Sequence, residues 1–104
     1  MILFSDIYAF GLIDRPPAGE PRPDPEQVEI AKDWLDRYAT KATTYPPYIT
    51  SYTLKHRCER SLSPFKSISN GAVIRALVDC GYTVRRTTPT SPNVDVKIKF
   101  RKEA

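Results

Sequence analysis

Five prolines, Pro16, Pro17, Pro21, Pro23 and Pro25, crowd into residues 15–25, and this cluster restricts the chain more than any other feature. A proline ring fixes φ, removes a backbone donor and pushes the residue before it out of the helical region, so no helix or inner strand can run through this stretch. An extended, polyproline-like connector is expected over 15–25. It separates an N-terminal apolar segment, 1–14, from a helical and hairpin module, 26–100. At 104 residues the chain has room for one domain, so these pieces must share a core. Residues 2–13 are apolar and aromatic with no clean helical or strand period, and are read as a short strand.

Beyond the connector the local signals are stronger. Asp24 is placed to cap a helix whose first residue is Pro25, with Gln27 completing a capping box. Val28, Ala31, Leu35 and Tyr38, flanked by Ile30 and Trp34, recur at spacings of three and four and predict one buried face. Thr50 and Ser69 are the next caps. Each has an apolar residue before it and another four after it, Ile49 with Leu54 and Ile68 with Val73, as hydrophobic staples require. Leu54, Cys58 and Leu62 line one side of the second helix, leaving Lys55, His56, Arg57, Glu59 and Arg60 on the remaining surface. Val73, Ile74, Leu77 and Val78 form the buried face of the third, and Gly81 is its expected left-handed terminator. The period then changes to two. Tyr82 and Val84, then Val94, Val96, Ile98 and Phe100, alternate with polar residues and predict a hairpin with a projecting loop over 87–93. The expected class is α+β, three helices followed by a β-hairpin.

Charge is divided along the chain. Up to Tyr38 there are eight acidic and four basic residues, and from Ala39 onward four acidic and twelve basic, a rear portion of +8 within a total of +4. Such asymmetry suits a domain with one side facing a polyanion. No apolar run approaches the ~20 residues of a membrane span, and no basic residue precedes the opening apolar stretch, so the expectation is a cytoplasmic protein without signal peptide or membrane contact. Two cysteines and one histidine are too few for a zinc site, and no metal or cofactor is expected. His56 and Cys58 would lie about 200° apart on a helix, which excludes a nucleophile–base pair there. Glu26, Glu29, Asp33 and Asp36 have the spacing of a solvated helix face. No phosphate-binding glycine loop or nucleophile elbow occurs, and a non-enzymatic role is expected. Tyr45, Tyr48 and Tyr52, near Lys41 and Lys55, have the composition of a stacking surface for unpaired bases, although rings beside Pro46-Pro47 also serve to pack a loop onto a core.

Three helices, with a short connection between the second and third and a closing hairpin, resemble a winged helix-turn-helix domain over residues 24–100. The resemblance implies duplex DNA as partner ahead of single strands. Ser69, Asn70 and Arg75 would read the major groove, and Arg85, Arg86, Lys97 and Lys99 would contact phosphates. The helix in the reading position carries only Arg75 and Asp79 as charged groups. The preceding helix carries Lys55, Arg57 and Arg60, so backbone contact or a protein surface stays open.

A second resemblance is local. Ser51-Tyr52-Thr53-Leu54-Lys55-His56, Ser69-Asn70-Gly71-Ala72, Gly81-Tyr82 and Ser91-Pro92-Asn93 are similar to words in small, largely uncharacterised proteins carried by bacteriophages, plasmids and integrative elements. This implies either action on the element's own DNA or inhibition of a host defence complex, as anti-CRISPR proteins do. In that second case Glu29, Asp33 and Asp36 of the first helix form an alternative docking face. The N-terminal segment could pair with the hairpin or with a second subunit, which leaves a homodimer open.

Overall fold

A computed structural model describes residues 2–101. A 3-10 turn at Phe4–Asp6 leads into strands β1 (Ile7–Tyr8) and β2 (Gly11–Leu12). Helix α1 (Pro25–Tyr38), strand β3 (Ala39–Lys41), helices α2 (Ser51–Ser61) and α3 (Asn70–Asp79), and strands β4 (Val84–Arg86), β5 (Val94–Val96) and β6 (Ile98–Phe100) follow. The class is α+β, with three helices and small antiparallel sheets. The expected order needs correction, because strands also precede the helices and one lies between α1 and α2. No helix among the described residues is long and apolar enough to cross a membrane.

Helix α3 is the centre of the core. Its Gly71, Ala72, Val73, Ile74, Ala76 and Leu77 are all buried. A helix apolar nearly all round has to be enclosed, and α1, α2 and the β1–β2 hairpin enclose this one. Both of its ends are built as expected. The Ala72 N–H donates to Ser69 Oγ at 3.1 Å, with the staple residues Ile68 and Val73 buried beneath. At the other end Gly81 adopts φ +80°, its N–H donates to Val78 O at 3.1 Å, and the Tyr82 N–H donates to Leu77 O at 3.0 Å. This paired termination is a Schellman motif.

Helices α1 and α2 follow their predicted caps with one difference each. In α1, Asp24 accepts from the Glu26 N–H at 2.8 Å, but Gln27 closes no capping box. Its side-chain oxygen instead accepts from the Ser69 N–H at 2.9 Å, tying α1 to the start of α3. The buried stripe of α1 is Val28, Ala31, Trp34 and Leu35, and Tyr38 lies at its exposed margin. In α2, Thr50 and Thr53 cap reciprocally, and Leu54 and Cys58 are buried. The exception is Glu59, expected on the surface and found buried.

The closing hairpin is shorter than its alternation suggests. Val84–Arg86 pairs with Val94–Val96, but Ile98–Phe100 leaves that partner and pairs with Ala39–Lys41 of β3. The change occurs at Lys97, whose N–H donates to Thr83 O at 2.9 Å while its carbonyl accepts from the Ala42 N–H at 3.1 Å. One continuous alternating segment therefore serves two sheets.

The N-terminal segment is a hairpin, not a single strand, with Ile7 opposite Leu12 and Tyr8 opposite Gly11. The proline-rich connector does not run away from it. The Ala9 N–H donates to Pro21 O at 2.9 Å, and the Arg22 guanidinium donates to Ser5 O and Ile7 O at 3.0 Å each, folding 15–24 back over 4–9. This hairpin meets the first turn of α3 backbone to backbone. The Gly71 N–H donates to Ala9 O at 2.9 Å, and a Cβ at position 71 would overlap the Tyr8 carbonyl. Gly71→Ala should therefore force the hairpin off α3 and cost about 3 kcal/mol, the upper part of the usual overpacking range. By thermal melting this is a fall in Tm of roughly 10–20 °C; an unchanged melt would show that the close approach does not hold the segment.

Candidate functional site

The exposed face of the β4–β5–β6 segment gathers aromatic and charged groups. Val94, Val96 and Ile98 are buried, so alternation puts Asp95, Lys97 and Lys99 on the opposite face, with Arg85 directly across from Asp95. Arg85 Nε donates to Asp95 Oδ2 at 3.1 Å, and Thr87 Oγ1 donates to Asp95 Oδ1 at 3.0 Å. The loop after β3 returns across this face. Tyr45 lies under two cations, with the Arg85 guanidinium 3.9 Å and Lys97 Nζ 5.3 Å from its ring centroid. Thr50 then forms an isolated antiparallel bridge with Asp95, and the Val94 N–H donates to Ser51 Oγ at 3.1 Å, fastening the start of α2 to β5. Between these two attachments stands Tyr48, 96% exposed, with φ +63°. A left-handed conformation costs a side-chain-bearing residue about 1–2 kcal/mol. It is held by the neighbouring prolines and by Thr53 Oγ1, which donates to Tyr48 O at 3.3 Å.

The cations singled out in the sequence fall into two groups. Lys55 pairs with Glu59 at 3.0 Å, Arg75 with Asp79 at 3.0 Å, Arg85 with Asp95 at 3.1 Å and Arg86 with Asp14 at 2.6 Å. Arg57, Arg60, Lys97 and Lys99 have no carboxylate within 4.0 Å among the described residues. Arg57 instead stacks over Phe100, 4.4 Å from the ring centroid, on the other side of β6 from Lys99. The rear portion thus consumes its described acids internally and leaves cations over. On α1, Glu29 pairs with Lys32 at 3.3 Å, whereas Asp33 and Asp36 are exposed with no cation within 4.0 Å among the described residues.

Ser69 and Asn70 are engaged within the fold. Ser69 caps α3, and Asn70 is only 7% exposed, its amide nitrogen donating to Asn93 Oδ1 at 2.9 Å and to Phe10 O at 3.1 Å. Arg75 lies apart from the sheet face, its guanidinium 3.8 Å from the Phe4 ring centroid. It lines a groove of about 570 Å³ with Phe4, Arg22, Val28, Lys32 and Asp79.

Glu59 is the charged residue whose place the sequence least reveals. It is 5% exposed and accepts from the buried Ile68 N–H at 2.8 Å, from Lys55 at 3.0 Å and from Ser67 Oγ at 3.3 Å. Burial alone would raise its pKa, but these donors outweigh it and hold the carboxyl below its ordinary range. Asp79 is held low in the same way, burial being overcome by hydrogen bonds from Lys32 and Arg75. Burial pushes the Cys58 thiol up to about 11, so it stays protonated and unreactive at neutral pH.

Because the folded-state pKa of Glu59 is depressed, its stabilisation is complete above the unfolded value and is lost as pH falls through the folded one. Glu59→Gln should lower stability at pH 7 by about 1–3 kcal/mol and flatten the decline of Tm below about pH 4.5. Thermal melts of both proteins across pH 3–7 check this, and parallel curves would remove Glu59 from the acid response. In comparisons with protein families, curated proteins and solved structures, the chain matches none.

Proposed function

We propose that this chain is a non-enzymatic nucleic-acid-binding module that contacts the sugar–phosphate backbone through the exposed face of β4, β5 and β6. Three helices followed by the β4–β5 hairpin support the resemblance to a winged helix-turn-helix domain, with β3 set between α1 and α2. The mode of contact differs from groove reading, because the first turn of α3 lies beneath the N-terminal hairpin. Lys97 and Lys99 lead the contact, with Arg85 beside them at the rim of the same face. One observation carries this reading. Asp95, the carboxylate on that face, is paired with Arg85 at 3.1 Å, and among the described residues Lys97 and Lys99 have no carboxylate within 4.0 Å. Phosphate contacts of this kind give affinity and orientation without base preference.

Asp33 and Asp36, exposed and without a cation within 4.0 Å among the described residues, favour a second reading, in which α1 docks on a basic surface of a host defence complex and blocks it, as expected of a mobile-element protein. Reversing both charges separates the two. It should abolish co-purification of such a partner and leave nucleic-acid affinity intact or raised.

The primary test is a fluorescence-anisotropy titration of the protein against labelled DNA between about 50 and 200 mM salt. Affinity should fall steeply, and Lys97→Ala with Lys99→Ala should reduce the slope of log K against log salt by about 2, one unit for each lost contact. An unchanged slope would take the sheet face out of the interface.

A further inference from the structure

We infer that the nucleic acid held on this face is an unpaired strand, and that Tyr48 is a stacking platform for its bases. The inference rests on the backbone-binding reading above and adds to it the form of the ligand. The loop over 42–50 is fixed at two points of the sheet. Tyr45 is clamped against Arg85 and Lys97, and Thr50 bridges to Asp95. Tyr48 stands between these points, two residues before Thr50, so its Cα lies within about 7 Å of the bridging residue. It therefore stands close to β5, on the loop whose other anchor is Tyr45 under Arg85 and Lys97.

The three tyrosines have different surroundings. Tyr45 already has cations against its ring and serves as the anchor. Tyr48 is 96% exposed and makes no aromatic or cation contact among the described residues. Tyr52 is 51% exposed, with His56 edge-on at 4.5 Å between centroids, and offers a second ring in the first turn of α2. The φ of +63° at Tyr48 is one that glycine would occupy without strain, yet the position carries a large aromatic ring aimed at solvent. Strain kept at an exposed side chain points to a use for that side chain. An aromatic face on the loop tied to the strand that carries Lys97 and Lys99 meets the two needs of an unpaired strand, stacking for the bases and charge for the phosphates. A duplex keeps its bases stacked on one another and gives Tyr48 no face to cover.

The test uses the full chain and three labelled 20-mers: oligothymidine, an abasic strand of the same length and a random duplex. Oligothymidine should bind most tightly. Tyr48→Ala should weaken it roughly five- to a hundred-fold, the usual range for losing one stacked base, with the loss confined to the strand that carries bases. Tyr48→Trp should restore binding. Tyr48→Gly, which suits the left-handed backbone, should melt no lower than the native chain and still lose oligothymidine, so that loss of binding is not loss of fold. Equal affinity for oligothymidine and the abasic strand, unaffected by Tyr48→Ala, would overturn the stacking inference and leave backbone binding standing. Tighter binding of the duplex would also overturn it. No binding of any of the three at low salt would overturn the backbone reading itself.

Discussion

The contact between the backbone of residues 8–9 and the first turn of α3 is the constraint on which the rest of the molecule depends. It is possible because Gly71 has no side chain, and it brings the Ala9 carbonyl to 2.9 Å from the Gly71 N–H. Once the hairpin is seated, Asn70 is enclosed and becomes a junction, reaching Phe10 in the hairpin and Asn93 in the β4–β5 loop. The Leu12 N–H adds a second tie to that loop through Pro92 O at 2.9 Å. Two segments distant in sequence, the N-terminal hairpin and the β4–β5 loop, thus converge on the end of one helix. Their convergence completes the core around α3 and withdraws its first turn from solvent, so whatever the protein binds must meet another surface.

How much of this was legible in the sequence depended on the range of the interaction. Thr50, Ser69 and Gly81 are legible in the sequence because caps and left-handed terminators are decided within four or five residues. β3 is not legible there, because Ala39, Thr40 and Lys41 form a strand only through β6, some sixty residues later, and carry no alternation of their own. The single long hairpin strand was expected because its burial alternates without interruption from Val94 to Phe100, while the change of partner at Lys97 alters hydrogen bonds and not side-chain period. Glu59 was placed outside for a similar reason. With Lys55 four residues before it, the pair looks like an exposed helical ion pair, and nothing local shows that the carboxylate is needed by the Ile68 N–H.

The candidate site was legible in part. Counting charges found the basic rear of the chain, and Lys97 and Lys99 stayed available in the fold. Counting could not find the pairings that neutralise Arg75, Arg85 and Arg86, which depend on Asp79, Asp95 and Asp14. Nor could it assign separate places to Ser69, Asn70 and the sheet cations, which the order of elements alone would put on one surface. The cluster of tyrosines near Pro46-Pro47 was visible, but its division into one anchoring ring and one projecting ring is a product of the loop's path over β4–β6.

The same loop determines how a ligand would be met. Pro46 and Pro47 remove torsional freedom immediately before Tyr48, and the bonds at Tyr45, Thr53 and Thr50 remove most of what remains. The chain therefore loses its conformational entropy here when it folds, not when it binds. The ring is preorganised, and association has little loop ordering left to oppose it.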